Sequence, residues 1–169
     1  MRWLGLLFIL GLGCQGSRPA AETPSTPPPR PEVQRVQIEE TRWGKRAWTL
    51  QADRVAFRND TTALYHLTLH FYDENEMPSS VLTADSGYLY ERTRDMVALG
   101  HVEVLTLDDS TRLLTRSLAW DNQRQRIYTF DSVTVYRGGE VLHGVGLISD
   151  PALKHIRIGG EVLGKPQEP

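Results

Sequence analysis

A short block of alternating residues returns along this chain at intervals of about 32 residues, and no other feature narrows the possible folds so far. Trp48-Thr49-Leu50-Gln51-Ala52-Asp53-Arg54-Val55-Ala56-Phe57 is followed by Leu82-Thr83-Ala84-Asp85-Ser86-Gly87-Tyr88-Leu89-Tyr90, and then by Leu114-Thr115-Arg116-Ser117-Leu118-Ala119-Trp120. Residues 67–71, 102–104 and 133–135 supply the strands that come next, and a weaker fourth copy covers 142–148 and ends at 156–158. Each unit reads as strand, short kink, strand, polar turn, strand. A unit of this size cannot bury its apolar face alone, so neighbouring copies must pack together.

Within the blocks the period is two. Trp48, Leu50 and Ala52 alternate with Thr49, Gln51 and Asp53; Leu67, Leu69 and Phe71 alternate with Thr68, His70 and Tyr72. Such alternation predicts strands with one apolar face. Polar and glycine clusters at 58–60, 73–76, 107–110, 121–123 and 137–140 separate them. No 3.6-residue period persists over three turns, so the chain is expected to be all-β: a sandwich, barrel or jelly roll. Large groups dominate the expected inward set: Trp48, Phe57, Phe71, Tyr88, Tyr90, Trp120 and Phe130. Periodicity alone fits two arrangements equally, a packed core and an open apolar groove between sheets.

The amino end differs in kind. Arg2 precedes an apolar run from Trp3 to Gly13, which is shorter than the roughly 20 residues that span a bilayer and is expected to be a signal peptide over residues 1–13. It ends at Cys14, the only cysteine, in a setting similar to a bacterial lipobox, although Gly11 and Leu12 depart from that pattern. Cys14 is therefore expected to carry the lipid that anchors the chain to a membrane. Residues 14–31 hold six of the ten prolines and almost no apolar side chains, as an extended tether does. The folded domain is expected over 32–164, with a short tail at 165–169.

Charge and motifs exclude several functions. With 19 basic and 21 acidic residues the net charge is −2, without the concentrated basic character of nucleic-acid binders. There is no phosphate loop, dinucleotide fingerprint or serine elbow, so neither a cofactor nor catalysis is expected. His66 and His70 stand four apart, which on a strand separates them by about 13 Å, too far for one metal ion. Lys45, Arg46, Arg92, Arg94, Arg112, Arg116, Arg124 and Arg126 fit two roles, phosphate contacts at a groove rim or ordinary solvated strand faces.

A set of short motifs then takes on meaning by its order: Gly44 with Trp48-Thr49-Leu50-Gln51-Ala52, Phe71-Tyr72-Asp73, Leu82-Thr83-Ala84-Asp85, Leu99-Gly100-His101-Val102-Glu103-Val104, Leu118-Ala119-Trp120-Asp121 and Leu142-His143-Gly144. From about residue 36 to 158 this series resembles the LptA/LptC-like family of periplasmic bridge proteins of lipopolysaccharide export, on the LptC side. The resemblance implies a twisted open β-jelly roll of two antiparallel sheets, V-shaped in section. It implies that acyl chains of lipopolysaccharide lie in an apolar groove, here Trp48, Leu50, Phe57, Leu67, Leu69, Phe71, Leu82, Tyr88, Val102, Val104, Trp120, Val133, Val135 and Ile156. The implied partners are an inner-membrane lipopolysaccharide ABC transporter complex and an LptA-like bridge protein, joined by edge-strand pairing. The carboxyl-terminal edge is expected near 141–144 and 155–158, the amino-terminal edge over 36–50, and Gly44, Gly100 and Gly144 match the family's glycines at bends or partner edges. Many such proteins hold the membrane with a transmembrane helix; here a lipid on Cys14 would replace it. The implied setting is the periplasm, on a membrane-anchored lipoprotein. A lipoprotein β-domain serving as scaffold or adhesin, and a carbohydrate-active jelly roll, are the alternatives.

Overall fold

In the computed structural model, residues 32–159 and 163–166 are described. The expected signal peptide, Cys14 and the expected proline-rich tether lie outside those residues. The described chain forms ten strands: β1 (Glu32–Arg42), β2 (Lys45–Arg58), β3 (Thr61–Tyr72), β4 (Pro78–Tyr90), β5 (Met96–Thr106), β6 (Arg112–Asp121), β7 (Arg126–Arg137), β8 (Glu140–Ser149), β9 (Arg157–Ile158) and β10 (Leu163–Pro166). The first eight pair antiparallel in sequence order, and β8 is flanked on its far side by β9 and β10. β10 reaches Pro166, two residues beyond the expected limit of 164.

Tight turns allow this meander. Trp43 and Gly44 both have positive φ (54° and 76°), as do Gly138 and Gly139 (55° and 84°). Two-residue turns of that kind match the right-handed twist of antiparallel strands.

The long strands are broken in their middles along one line. On β5, Gly100 and His101 oppose the single Arg116; on β7, Phe130 and Asp131 oppose the single Gly146. Such bulges bend the strand; on strands without the extra residue the buried parity changes at the same line, from Leu82 to Leu89 on β4 and from Leu113 to Leu118 on β6. The line continues through Asp85 on β4, and it crosses β3 and β1 at His66 and Arg35, whose φ angles are positive (50° and 53°). Along this crease the sheet folds onto itself. The two antiparallel sheets expected from sequence are thus the two halves of one continuous ladder. The upper half-sheet carries the turns at 43–44, 73–77, 107–111 and 138–139. The lower half-sheet carries those at 59–60, 91–95 and 122–125. Phe71 of upper β3 meets Trp120 of lower β6 with ring centroids 4.9 Å apart, although those strands are not neighbours.

Asp85 and Gly100 hold the crease at its centre. The Asp85 carboxylate accepts from the His101 amide (3.1 Å) and lies 2.7 Å from His101 Nδ1. Those contacts with His101 also lower the pKa of Asp85. A Cβ on Gly100 would stand 2.4 Å from Asp85 Oδ2, and Gly100 has φ +99°. Gly100→Ala is therefore expected to destabilise the fold by about 2 kcal/mol or more, through clash and left-handed strain together; chemical denaturation of the variant checks this.

Candidate functional site

The inner faces of the half-sheets meet in one apolar layer. The upper half contributes Trp48, Leu50, Leu67, Leu69, Phe71, Leu82, Val102, Val104, Leu113, Val133 and Val135. The lower half contributes Val55, Leu64, Leu89, Met96, Leu118, Trp120, Ile127 and Leu147. The polar residues buried with them are threonines and serines, and no charged side chain is buried among the described residues. Sequence left packed core and open groove equal. The structure distinguishes them: Leu50, Leu69 and Val104 are at most 2% exposed, so these side chains fill the space between the halves.

Eleven of the expected groove residues fall in this layer, and Ile156 packs against it partly buried. Phe57 and Tyr88 do not, nor do Tyr90 and Phe130 of the expected inward set. The crease is the reason for most of this. Tyr88 pairs with Val97 on the outer face, while its neighbour Leu89 turns inward. Phe130 occupies the β7 bulge and is 84% exposed. Phe57 shares the parity of Val55 but lies past Ala56, the last β2 residue paired with β1, at a corner of the sheet. The inward residues Val55, Leu64 and Leu89 were missed because the alternation restarts in a new phase beyond the kink, whereas Met96 keeps the phase of Val102 and Val104 across the β5 bulge. Leu153 was missed because it lies in a loop, where no period announces burial.

The edges also differ from expectation. β1 alone forms the amino-terminal edge, since β2 is paired on both sides. Residues 141–143 of β8 pair with both β7 and β10, so the carboxyl-terminal edge is β9 and β10. Gly144 sits opposite Val133 of β7, just past the β8 residues that pair with β10 and before those that pair with β9, whereas Gly100 lies between β4 and β6 and is not on an edge. Gly44 occupies the β1–β2 turn.

On the side opposite the crease the half-sheets are joined only by side chains. Arg42 donates to Asn122 O, and Trp48 Nε1 donates to Asn122 Oδ1 at 3.4 Å. Arg94 Nε stands 3.6 Å from Glu40 Oε2, and Lys154 Nζ 3.8 Å from Asp108 Oδ2. Arg137 donates to Leu153 O. Two cavities open along this seam. One, of about 310 Å³, is bounded by Phe71, Trp120, Asp108, Ala152 and Lys154 among others. The second, of about 350 Å³, is lined by Val135, Leu142, Ile156 and Ile158 with Arg137, Lys154 and His155.

Of the basic residues singled out in the sequence, most are engaged on outer faces and turns. Arg112 grips Glu103 through two bonds of 2.6 and 3.0 Å, Arg46 pairs with Glu39, and Arg124 and Arg126 flank Asp121. These contacts fit the solvated-face role better than a groove rim.

The family model described as lipopolysaccharide-assembly, LptC-related, matches residues 7–165. Among solved structures the chain is similar to the crystal structure of LptH from Pseudomonas aeruginosa, described as the LptA-homologous periplasmic component of the lipopolysaccharide transport device. The identity is 12%, covering 83% of this chain and 96% of that one, with a TM-score of 0.34. No curated protein matches the chain.

The seam has an acid-sensitive support. The Thr106 hydroxyl, the Thr111 amide and Arg137 hold the Asp109 carboxyl down at about 2, against 3.8 ordinarily. A depressed folded value stabilises above the unfolded pKa and is lost as pH falls through the folded one. Asp109→Asn is therefore expected to lower the melting temperature at neutral pH, and its deficit against wild type should shrink as pH falls from about 3.8 towards about 2. Thermal melts of both proteins across that range check it.

Proposed function

Because this chain belongs to the LptC-related family of lipopolysaccharide assembly, we propose that its folded sheet shelters the acyl chains of lipopolysaccharide between the half-sheets and passes the lipid along the envelope. The observation that carries this reading is the contrast between the two sides of the inner layer. The crease side is continuous backbone, whereas the opposite side is closed by a few side-chain contacts, each reaching a turn or loop residue. Such contacts stabilise by about 0.5–1.5 kcal/mol each. An entering acyl chain contributes about 0.8 kcal/mol per methylene withdrawn from water, so roughly ten methylenes outweigh the seam. Inside, the chain replaces apolar contacts by apolar contacts and meets no buried charge.

On this reading lipopolysaccharide arrives from the inner-membrane ABC transporter and leaves to a bridge protein. β1 and the β9–β10 border offer main-chain groups for strand addition. A lipid on Cys14 would keep the domain in the periplasm beside a membrane. The tight packing of the inner layer also favours a second reading, in which the domain is a lipoprotein scaffold or adhesin whose core never opens.

Photo-crosslinking residues at Leu69, Phe71, Val104 and Trp120, with Thr68 and Glu103 as outward-facing controls, separate the two in living cells. Lipopolysaccharide adducts are expected from the inner positions and not from the controls. Adducts from none of the inner positions would leave the scaffold reading standing and end the transport one.

A further inference from the structure

The segment between β8 and β9 behaves unlike the other connections. Leu153 belongs to no strand, yet it is fully buried in the core cluster, while Lys154 and His155 beside it are exposed. Its backbone is left-handed, with φ +53°, a conformation that costs a non-glycine residue about 1 kcal/mol or more. The loop closes on itself through Leu153 N to Asp150 O (3.0 Å) and His155 N to Asp150 Oδ1 (2.7 Å). Leu153 lies in the chain between the residues that bound the two seam cavities, and Lys154 lines both.

We propose that this loop is a displaceable plug, and that Lys154 and Arg137 form a receptor for the phosphate of an acylated lipid whose binding withdraws Leu153 from the core. The inference rests on the transport reading above and adds the chemistry that opens the site. Both cations are loosely paired: Lys154 stands 3.8 Å from Asp108, and Arg137 stands 3.9 Å from Asp109 while also donating to Thr111 Oγ1 at 3.0 Å. Exposed pairs at such distances contribute little, so a phosphate, which accepts charge-assisted bonds from both, competes well. His155 adds a ring nitrogen to the polar side of the cavity, although Asp150 already faces it at 3.4 Å. The other lining residues, Val135, Leu142, Ile156 and Ile158, are aliphatic and suit a hydrocarbon chain.

A ligand with both features is an anionic acylated lipid; a free anion leaves the aliphatic wall unused, and a neutral lipid leaves the cations unused. Once phosphate draws Arg137 from Leu153 O and Lys154 from Asp108, the plug loses its two ties to the upper half-sheet. Withdrawal of Leu153 also releases its backbone strain and joins the two cavities into one trough. Trp120 Nε1 and Ser149 Oγ, buried near the loop's base without a partner among the described residues, then gain access to the polar linkages of the lipid.

Hydrogen exchange over residues 150–156 of the full chain, with lipid binding measured in parallel, tests this. The probes are phosphatidic acid, diacylglycerol with the same acyl chains, and inorganic phosphate. Phosphatidic acid is expected to bind most tightly and to speed exchange at Leu153. Lys154→Gln should weaken phosphatidic acid about tenfold, the loss of one charge-assisted bond, leave diacylglycerol unchanged, and be rescued by Lys154→Arg. Equal binding of phosphatidic acid by wild type and Lys154→Gln, or opening of the loop by inorganic phosphate alone, would overturn the proposal. Uptake of both lipids with Leu153 still protected would remove the plug and leave the transport reading intact; uptake of neither would remove both.

Discussion

A β-strand of a dozen residues stays straight unless something interrupts its ladder, and here the same interruption is repeated across the whole sheet. Asp85 seated over Gly100 is its centre, with bulges on β5 and β7 and left-handed residues at Arg35 and His66. Without it, the ladder would be a flat two-faced sheet with long exposed edges. With it, each strand supplies both walls of the interior. One hairpin therefore cannot bury its apolar residues until neighbours stack beside it, which is the physical meaning of the repeat.

The crease also accounts for which parts of the fold were legible in the sequence. The repeated Leu50 and Leu82, the turns and the kink itself could be read, because local periodicity and turn chemistry are local properties; in the third copy the inward residue is Leu113, one before the aligned Leu114. What lay beyond the kink could not be read by carrying the phase forward. Tyr88 and Phe130 look like core aromatics by type, yet Tyr88 falls outward because the phase changes across the crease on β4, and Phe130 falls outward in the phase already set by Val133 and Val135. Leu89, read in the new phase, falls inward, while Met96 continues the phase of Val102 and Val104. The edges escaped for another reason: β10 is a four-residue strand with glycine and proline, weak in every strand signal, and only its pairing with β8 moves the border of the sheet.

The chemistry of the interior follows from what is absent from its buried set and from how it is closed. The buried Thr49 and Thr106 hydroxyls find partners, and only the small hydroxyls of Ser80 and Ser149 lack one among the described residues, so the layer holds few polar groups and no charge. Sequence alternation predicted that apolar lining but could not say whether water, lipid or neighbouring side chains would occupy the centre. Packing settles that for the protein by itself: the side chains fill it.

A carrier must bind its cargo and also release it, so neither a rigid open trough nor a sealed core suits the task. The present architecture places covalent continuity on one side and weak, individually replaceable contacts on the other. Each of those weak contacts has a turn or loop residue on at least one side, Asn122, Arg94, Asp108, Leu153 or Lys154, where backbone and side chain can move without breaking the ladder. Leu153 adds a hydrophobic stopper held in a strained conformation, so opening recovers some of what unplugging costs. In the proposed mechanism the difference in free energy between closed and open halves is set largely by the ligand's own hydrocarbon, so that one domain would take up a lipid and pass it on without a source of chemical energy of its own.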